Sequence, residues 1–575
     1  MSQKMKALFD QIEEQVRDGV KASIRRENLD CVVLFISFTD AKQRAETHTF
    51  RATNFRDCWK AAIEKTVQLV GKSDAVRWLR VDWLENVETL SWKALQKDLN
   101  NTKRNYYRYG LSLDKQFRHA FLETELNANA MLYGGGQIQH AVINTNNFLR
   151  YAKIRHSLSN VSMNADDIVY KFSTQAVFID CEENTVHLIS GAGRTTGRRT
   201  IERMSKDDIY GLIDRGSKFL STQVDQSGRF IYGWHPCFDR PIKAYNSLRH
   251  ASTLYAMIEA WSVTRDPLLG DAIERAIAYL TEELIKVVIH QKHDLAFLVD
   301  ENAEIKLGGN AVCLLALVKY SEVLMTDRYH DILNKLACGI LYMQDEDAGK
   351  FTHVLNYPEL TVKSDFRIIY YDGEAAFGLM KLYSLTGDER WINAVEKSFN
   401  YFIAAEHWKA HDHWLSYAVN EITRYRPKSE YFVFGLNNFK DYLDFVENRI
   451  TTFPTLLELM MAAQEMILRL QTSTKHSHLL ESLDLDRFYR ALEARAHHLL
   501  NGHFWPELAM FYANPWKIKG SFFIRHHAFR IRIDDVEHYL SGLVAFLHYR
   551  NSAAAPINPP KDIQNGRYAH DFEIT

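Results

Sequence analysis

The sequence predicts a mainly α-helical protein: a closed ring of six helical hairpins over residues 205–550, preceded by an α+β domain over residues 1–200. Three observations carry this expectation. First, a joint recurs: Trp261-Ser262-Val263-Thr264-Arg265-Asp266, Tyr320-Ser321 with Thr326-Asp327, and Tyr383-Ser384-Leu385-Thr386-Gly387-Asp388, at steps of 59 and 63 residues. A two-helix unit that cannot bury its apolar face alone must stack on its neighbours. Second, the two helices of a unit differ in kind. Residues 271–286 carry Ile273, Ile277, Leu280 and Leu284 on one face and Glu274, Arg275, Glu282 and Glu283 opposite, whereas the run after Asn310 is apolar all round. One-faced helices suit an outer layer and all-round apolar helices an inner one. Third, inner-to-outer links are short and most outer-to-inner links are long, which gathers the long loops at one end of the ring, where function concentrates.

The expected pairs, outer then inner, are 207–222 with 247–263, 269–288 with 308–324, 328–344 with 373–386, 389–405 with 411–423, 430–447 with 454–472, and 485–501 with 535–549. In the first domain, residues 4–25, 55–70 and 115–132 read as helices. Residues 31–36, 75–83 and 103–111 read as strands, Gly134-Gly135-Gly136 as a break, and 169–180 with 185–190 as a hairpin. Gly191-Ala192-Gly193-Arg194-Thr195-Thr196-Gly197 lacks the Gly-Lys-Ser/Thr ending of a phosphate loop and reads as a basic, mobile linker. The domain carries no chemical motif and is expected to offer a surface for a protein partner. Residues 551–575, with Pro559-Pro560, read as an extended tail.

Composition narrows the function classes. The 70 Lys and Arg balance 72 Asp and Glu, for a formal charge of −2, so nothing points to nucleic acid or to general attraction to membranes. No sustained apolar run suggests a membrane span, and the charged N-terminus does not read as a secretory signal; the cytoplasm is the expected location. Six cysteines are scattered without a Cys-x-x-Cys pair, so neither metal nor disulfide is expected, and no cofactor.

With these joints, the twelve helical runs and phrases such as Tyr370-Tyr371-Asp372-Gly373-Glu374-Ala375, residues 205–550 resemble the (α/α)6 toroid superfamily. That group includes glycoside hydrolases, uronyl hydrolases, polysaccharide lyases and sugar epimerases. The resemblance implies a sugar-processing cavity at the long-loop end and selects no single activity.

The starts of the inner helices supply the candidate residues. Asp372, Glu374, Asp412 and Asp535 are the carboxylates, and His250 and His413 the imidazoles, expected to be catalytic. Arg249, Tyr245, Trp234, Tyr371, Trp414, His538 and Arg525 are expected to bind substrate. Asp372, Asp412 and Asp534 also stand where helix N-caps belong, and Asp534 with Glu537 fits a capping box. Six helix amino ends aimed at one rim, with Arg249 and Arg525, favour an anionic ligand such as an acidic sugar or oligosaccharide. Carboxylate pairs suit glycoside cleavage, by hydrolysis or by elimination. Pairs of histidines suit epimerisation. A glycan-binding or polysaccharide-assembly role without catalysis is the third possibility.

Overall fold

The computed structural model describes residues 2–27, 30–70, 76–189, 193–291 and 293–552; the expected tail lies almost wholly outside the described residues. Six helices run Ser247–Thr264, Leu307–Leu324, Tyr370–Thr386, His413–Tyr425, Thr455–Thr472 and Ile533–Asn551. Each packs on the next, and the last packs back on the first, so they form a closed circuit. These are the inner helices expected from the sequence. Leu307–Leu324 is long and apolar enough to cross a membrane by length and composition, yet it lies mostly buried between its neighbours in the circuit.

The recurring joint has a conformational cause. Arg265, Met325 and Gly387 end their helices with φ of 52°, 51° and 69°, the left-handed residue that terminates many helices. The aspartate that follows then restarts the chain. Asp266 caps its helix by accepting from Leu268 N at 2.8 Å, and Asp388 by accepting from Arg390 N at 3.0 Å. Stop and start signals thus sit within two residues.

Four outer helices, Lys206–Gln223, His330–Tyr342, Glu389–Ala404 and Leu485–His498, match the expected positions, and a fifth, Pro267–Tyr279, matches in its first half. Two differences are instructive. The run expected over 269–288 leaves α-helix at Tyr279, continues as one π-helical turn over Leu280–Leu284, and gives way to the strand Ile285–His290, paired with His293–Leu298. Val287, Val288 and Ile289 are β-branched and favour a pleated chain over a helix. The run expected over 430–447 breaks into Ser429–Asn437 and Leu443–Asn448. The break frees Asn438, whose Oδ1 accepts from Asp412 N at 3.1 Å while its Nδ2 donates to Asp412 O at 2.8 Å. The outer chain thereby anchors the amino end of the fourth inner helix.

The amino ends of the inner helices meet at one end of the circuit. Glycine permits the closest approach: a Cβ on Gly308 would lie 1.9 Å from Glu374 Oε2, and one on Gly373 would lie 2.6 Å from Leu415 N. The long loops cover this end and pair with one another. Ile531–Arg532 hydrogen-bonds to Gly233–His235, and Glu304–Lys306 to Val354–Asn356.

The first part of the chain builds an antiparallel sheet in the order Glu46–Ala52, Val32–Thr39, Trp78–Ser91, Ile168–Asp180, Gly110–Ser112, Ala120–Phe121, with Thr185–Ile189 also on Ile168–Asp180. Val32–Thr39 is buried on both faces, which explains its unbroken apolar run. Leu34 and Ile36 meet Phe9, Ile12 and Val16 of the helix Ser2–Glu27, whereas Val33 and Phe35 face the core shared with the ring. The strand expected over 103–111 is only Gly110–Ser112, because Asn105 turns the chain at φ 62°. The helix expected over 115–132 is only Glu123–Ala128: Phe117 has φ 57°, and the Asp114 carboxylate gathers the backbone N–H groups of Gln116, Arg118 and His119. The helix Thr145–His156, capped by Asn144, was not anticipated.

The sheet docks on the long loop before the sixth inner helix. Arg80 donates to Glu507 O at 3.0 Å, and Ala45 N to Met510 O at 2.7 Å. The Glu507 side chain is fully buried and accepts from Arg199 N, Nε and Nη2 at 2.9, 2.9 and 2.8 Å. Burial alone would raise the Glu507 carboxyl, yet Arg199 and the hydrogen bonds hold it below the usual range. Arg199→Met should therefore cost about 3–5 kcal/mol at pH 7 by stranding a buried carboxylate. A carboxyl held low contributes stability above its unfolded value and loses it as pH falls through the folded one. The gap between variant and wild type in denaturant-induced unfolding should therefore narrow on acidification below about 4.5.

Candidate active site

The cluster begins with how each inner helix starts. The third starts at Tyr370, so Asp372 lies inside its first turn rather than at the cap. The Asp372 carboxylate sits 3.3 Å from His353 Nε2, and His353 Nδ1 accepts from Arg367 N at 3.0 Å. This pair is almost fully buried and clamps the preceding loop. Glu374, one half-turn on, lies over Gly308. Burial pushes its carboxyl up to about 8, opposed by Arg249 and reinforced by Asp412. It is an acid that keeps its proton at neutral pH.

The fourth inner helix is capped as expected, with Asp412 Oδ1 accepting from Leu415 N at 3.0 Å. The other carboxylate oxygen lies 3.1 Å from Nδ1 of His413. The His413 ring stands 5.3 Å from that of His538 and 5.8 Å from that of Tyr370. His538 Nδ1 lies 2.9 Å from Glu458 Oε2 of the fifth inner helix and 3.4 Å from Glu537 Oε1. Each imidazole therefore has a carboxylate behind it, and the rings meet edge to face. Burial raises Glu458 to about 8, with His413 opposing, and raises Glu537 well above its ordinary value.

The sixth inner helix has no side-chain cap, and the expected Asp534–Glu537 capping box is not formed. Asp534 takes Arg249 Nε at 3.3 Å and Arg532 Nη2 at 3.1 Å. Asp535 is held by the Arg532 fork at 3.0 and 2.8 Å. Arg249 and Tyr370 keep about a third of their surface open and mark the mouth of the ring.

Orphaned polar atoms concentrate here. Glu374 Oε2, His413 Nε2, Asp534 Oδ1 and Glu537 Oε2 are buried with no hydrogen-bond partner among the described residues, and Asp412 Oδ2 and Glu537 Oε1 meet only the neighbouring imidazoles, without hydrogen-bond geometry. Unsatisfied buried groups are costly, so their convergence marks a site built for something other than stability. His413, Glu458 and His538 also bring one donor atom each within 4.8 Å of one another, a set with the ligand types of a metal site. A separate small cavity of about 10 Å³, lined by Arg80, Arg108, Glu123 and Thr196 among others, contains none of these groups.

Of the expected residues, the structure brings Glu374, Asp412, His413, His538, Arg249 and Asp535 together. Others fall elsewhere. His250 is fully buried between helices, with Tyr245 Oη 2.7 Å from Nδ1 and Ala276 O 2.9 Å from Nε2; burial lowers it to about 4. Tyr245 serves this bond and lies under Arg229. Trp414 is core, against Phe377 and Tyr417. Tyr371 packs under Gly308 beside His353. Trp234 donates to Gln223 at 2.8 Å, and Arg525 holds Glu123 and Asn105 of the sheet region. Glu458 and Glu537 were not singled out as catalytic. Their signal was present: Glu458 interrupts the run Leu456-Leu457-Glu458-Leu459-Met460, a lone acid where helical spacing demands burial.

A carboxyl with a raised folded value makes its full contribution to stability below the unfolded value and loses it as pH rises through the folded one. Glu374 should thus weaken the fold progressively between about 4.5 and 8, each pH unit of that interval weighing about 1.4 kcal/mol at most. Glu374→Gln should flatten this decline and leave the variant more stable than wild type at pH 9, read by thermal unfolding across pH.

No family model matches the chain, and no curated protein matches it. Solved structures that align with it include a D-mannose isomerase (10% identity, TM-score 0.45, 60% of this chain and 98% of that one). A cellobiose 2-epimerase from Bacillus thermoamylovorans B4167 aligns at 11% identity and TM-score 0.45, over 60% of this chain and all of that one. The GH76A alpha-1,6-mannanase of Salegentibacter sp. HEL1_6 aligns at 9% identity and TM-score 0.40, over 59% and 98%. Scores this low carry no argument for fold or activity.

Proposed function

We propose that residues 205–550 form an (α/α)6 toroid behind an N-terminal α+β domain, and that its mouth is the active site of a sugar-processing enzyme. The closed circuit of inner helices supports the architecture. The reaction best supported is proton transfer at a sugar carbon, as in epimerisation or isomerisation. One observation carries it: His413 and His538 face each other at 5.3 Å, His413 backed by the Asp412 carboxyl group and His538 by that of Glu458, which burial pushes towards the neutral form, and His413 Nε2 has no protein partner among the described residues. Imidazole is the side chain suited to give and take a proton near neutral pH. One ring removes the proton from a C–H beside a carbonyl. Arg249, about a third open at the mouth, offsets the negative charge that develops on the oxygen. The other ring returns a proton to the opposite face, or, where the neighbouring hydroxyl passes its proton to the former carbonyl oxygen and becomes the new carbonyl, to the adjacent carbon.

Glycoside cleavage remains the second reading. The observation that favours it is Glu374, protonated at neutral pH as a general acid must be. Its base is harder to assign, because Asp372, Asp412 and Asp535 are held by His353, Leu415 N with His413, and Arg532. An acidic sugar fits Arg249 and the helix amino ends better than a neutral one.

Incubation with neutral sugars, uronic acids and their oligosaccharides in D₂O separates the two. Proton transfer should place deuterium at carbon without cleaving the chain. His413→Gln and His538→Gln should each slow this exchange by about 10²–10⁴-fold while remaining folded. Release of shorter sugars without carbon-bound deuterium would instead establish cleavage.

A further inference from the structure

A second group of charges borders the mouth, and it is unbalanced. The chain as a whole is nearly neutral, yet Lys103, Arg104, Arg449, His526 and His527 gather where the sheet region meets the long loop before the sixth inner helix. Arg104 Nη2 lies 3.5 Å from His527 Nδ1, and the His526 and His527 rings are 4.4 Å apart. Lys103 and Arg449 lie close enough to depress His526 together with Arg104. The group adjoins the mouth through Arg530, which reaches Asp535 at 3.7 Å and also acts on His527.

Neighbouring cations are accounted for: Arg525 faces Glu123, and Arg530 and Arg532 face Asp535. The five above meet no anion, although Arg449 donates Nε to Thr451 Oγ1 at 2.9 Å and lies over the Phe445 ring. Among the described residues, no carboxylate lies within ion-pair distance of Lys103, Arg104 or Arg449. Arg104 spends Nη1 on the carbonyls of Gly135, Gly136 and Ile138, is 4% exposed, and leaves Nε without a partner. His526 Nδ1 is likewise buried and unpaired. Burial first, then the surrounding cations, hold His526 at about 3 and His527 at about 4, so both rings are neutral N–H donors at physiological pH. Uncompensated cations in a partly desolvated place are unfavourable unless an anion joins them.

We propose that Lys103, Arg104 and Arg449, with His526 and His527, form an oxyanion subsite at the edge of the mouth. It receives a phosphate, sulfate or carboxylate group carried by the ligand of the acid and imidazole cluster. Lys103 and Arg104 come from the first part of the chain, so the sheet region completes the ligand site of the ring. The assignment of that ligand rests on the mouth being a substrate site; the anion binding itself does not.

Calorimetric titration of the full chain with inorganic phosphate, sulfate and acetate tests this. At least one should bind, and added NaCl should weaken it. Preference for phosphate or sulfate points to an ester group on the ligand, and preference for acetate to a uronic carboxylate. Lys103→Gln and Arg449→Gln should each weaken binding by roughly tenfold, and Lys103→Arg should preserve it. Lys103 has no partner to strand, so its substitution should leave the melting temperature unchanged. The ring resonances of His526 and His527 in wild-type protein should move on adding the bound anion, a readout that needs no variant. The subsite is overturned if none of the three anions binds, if both Gln variants bind as tightly as wild type, or if those resonances stay fixed. Absence of carbon-bound deuterium alongside intact anion binding would sink proton transfer and leave the subsite standing.

Discussion

Everything at the mouth follows from crowding carboxylates into a space that water barely reaches. Glu374, Asp412, Glu458, Asp534, Asp535 and Glu537 are all nearly buried. Buried anions must be paired or must take up protons. The structure does both. Arg249 and Arg532 hold Asp534 and Asp535, and His353 holds Asp372. Glu374, Glu458 and Glu537 are pushed towards the protonated form instead. Two kinds of carboxyl group thus stand side by side, those paired with an arginine or a histidine and those pushed towards the neutral form, and the imidazoles lie between them. A helix amino end tolerates negative charge, which is why so many acids can sit at these starts at all.

Closure of the inner circuit makes this crowding possible. Gly308 and Gly373 let neighbouring helices approach until Glu374 rests on one backbone and Leu415 on another. Asn438, freed by a break in an outer helix, fixes the backbone of Asp412 from both sides. The outer layer therefore positions the acids and imidazoles of the mouth without contributing any of them. The sheet region acts similarly at longer range. Fixed through Glu507, Arg199 and Arg80, it carries Lys103 and Arg104 to the edge of the mouth.

Helix starts were legible wherever a local rule governs them. Asp266, Asp388 and Asp412 cap their helices because an aspartate before an apolar run satisfies orphan N–H groups. The same rule misled at Asp534, where two arginines outbid the backbone for the carboxylate. His250 was expected to be catalytic and Trp414 to bind substrate because they stand near helix starts. Whether such a residue turns to the mouth or into the packing depends on the rotation of the helix, which sequence position leaves open.

From the sequence alone came the repeat, the inner and outer character of the helices, the end that carries the long loops and the acids and imidazoles gathered there. These are local: caps, left-handed stops and apolar periodicity act within a few residues. Only the folded chain decided that Asp372 belongs to His353, that His413 meets His538, and that Glu458 and Glu537 join them. Protonation followed from that, because desolvation and charge pairing are set by which distant residues share a small volume, and spacing along a chain does not encode distance across a ring.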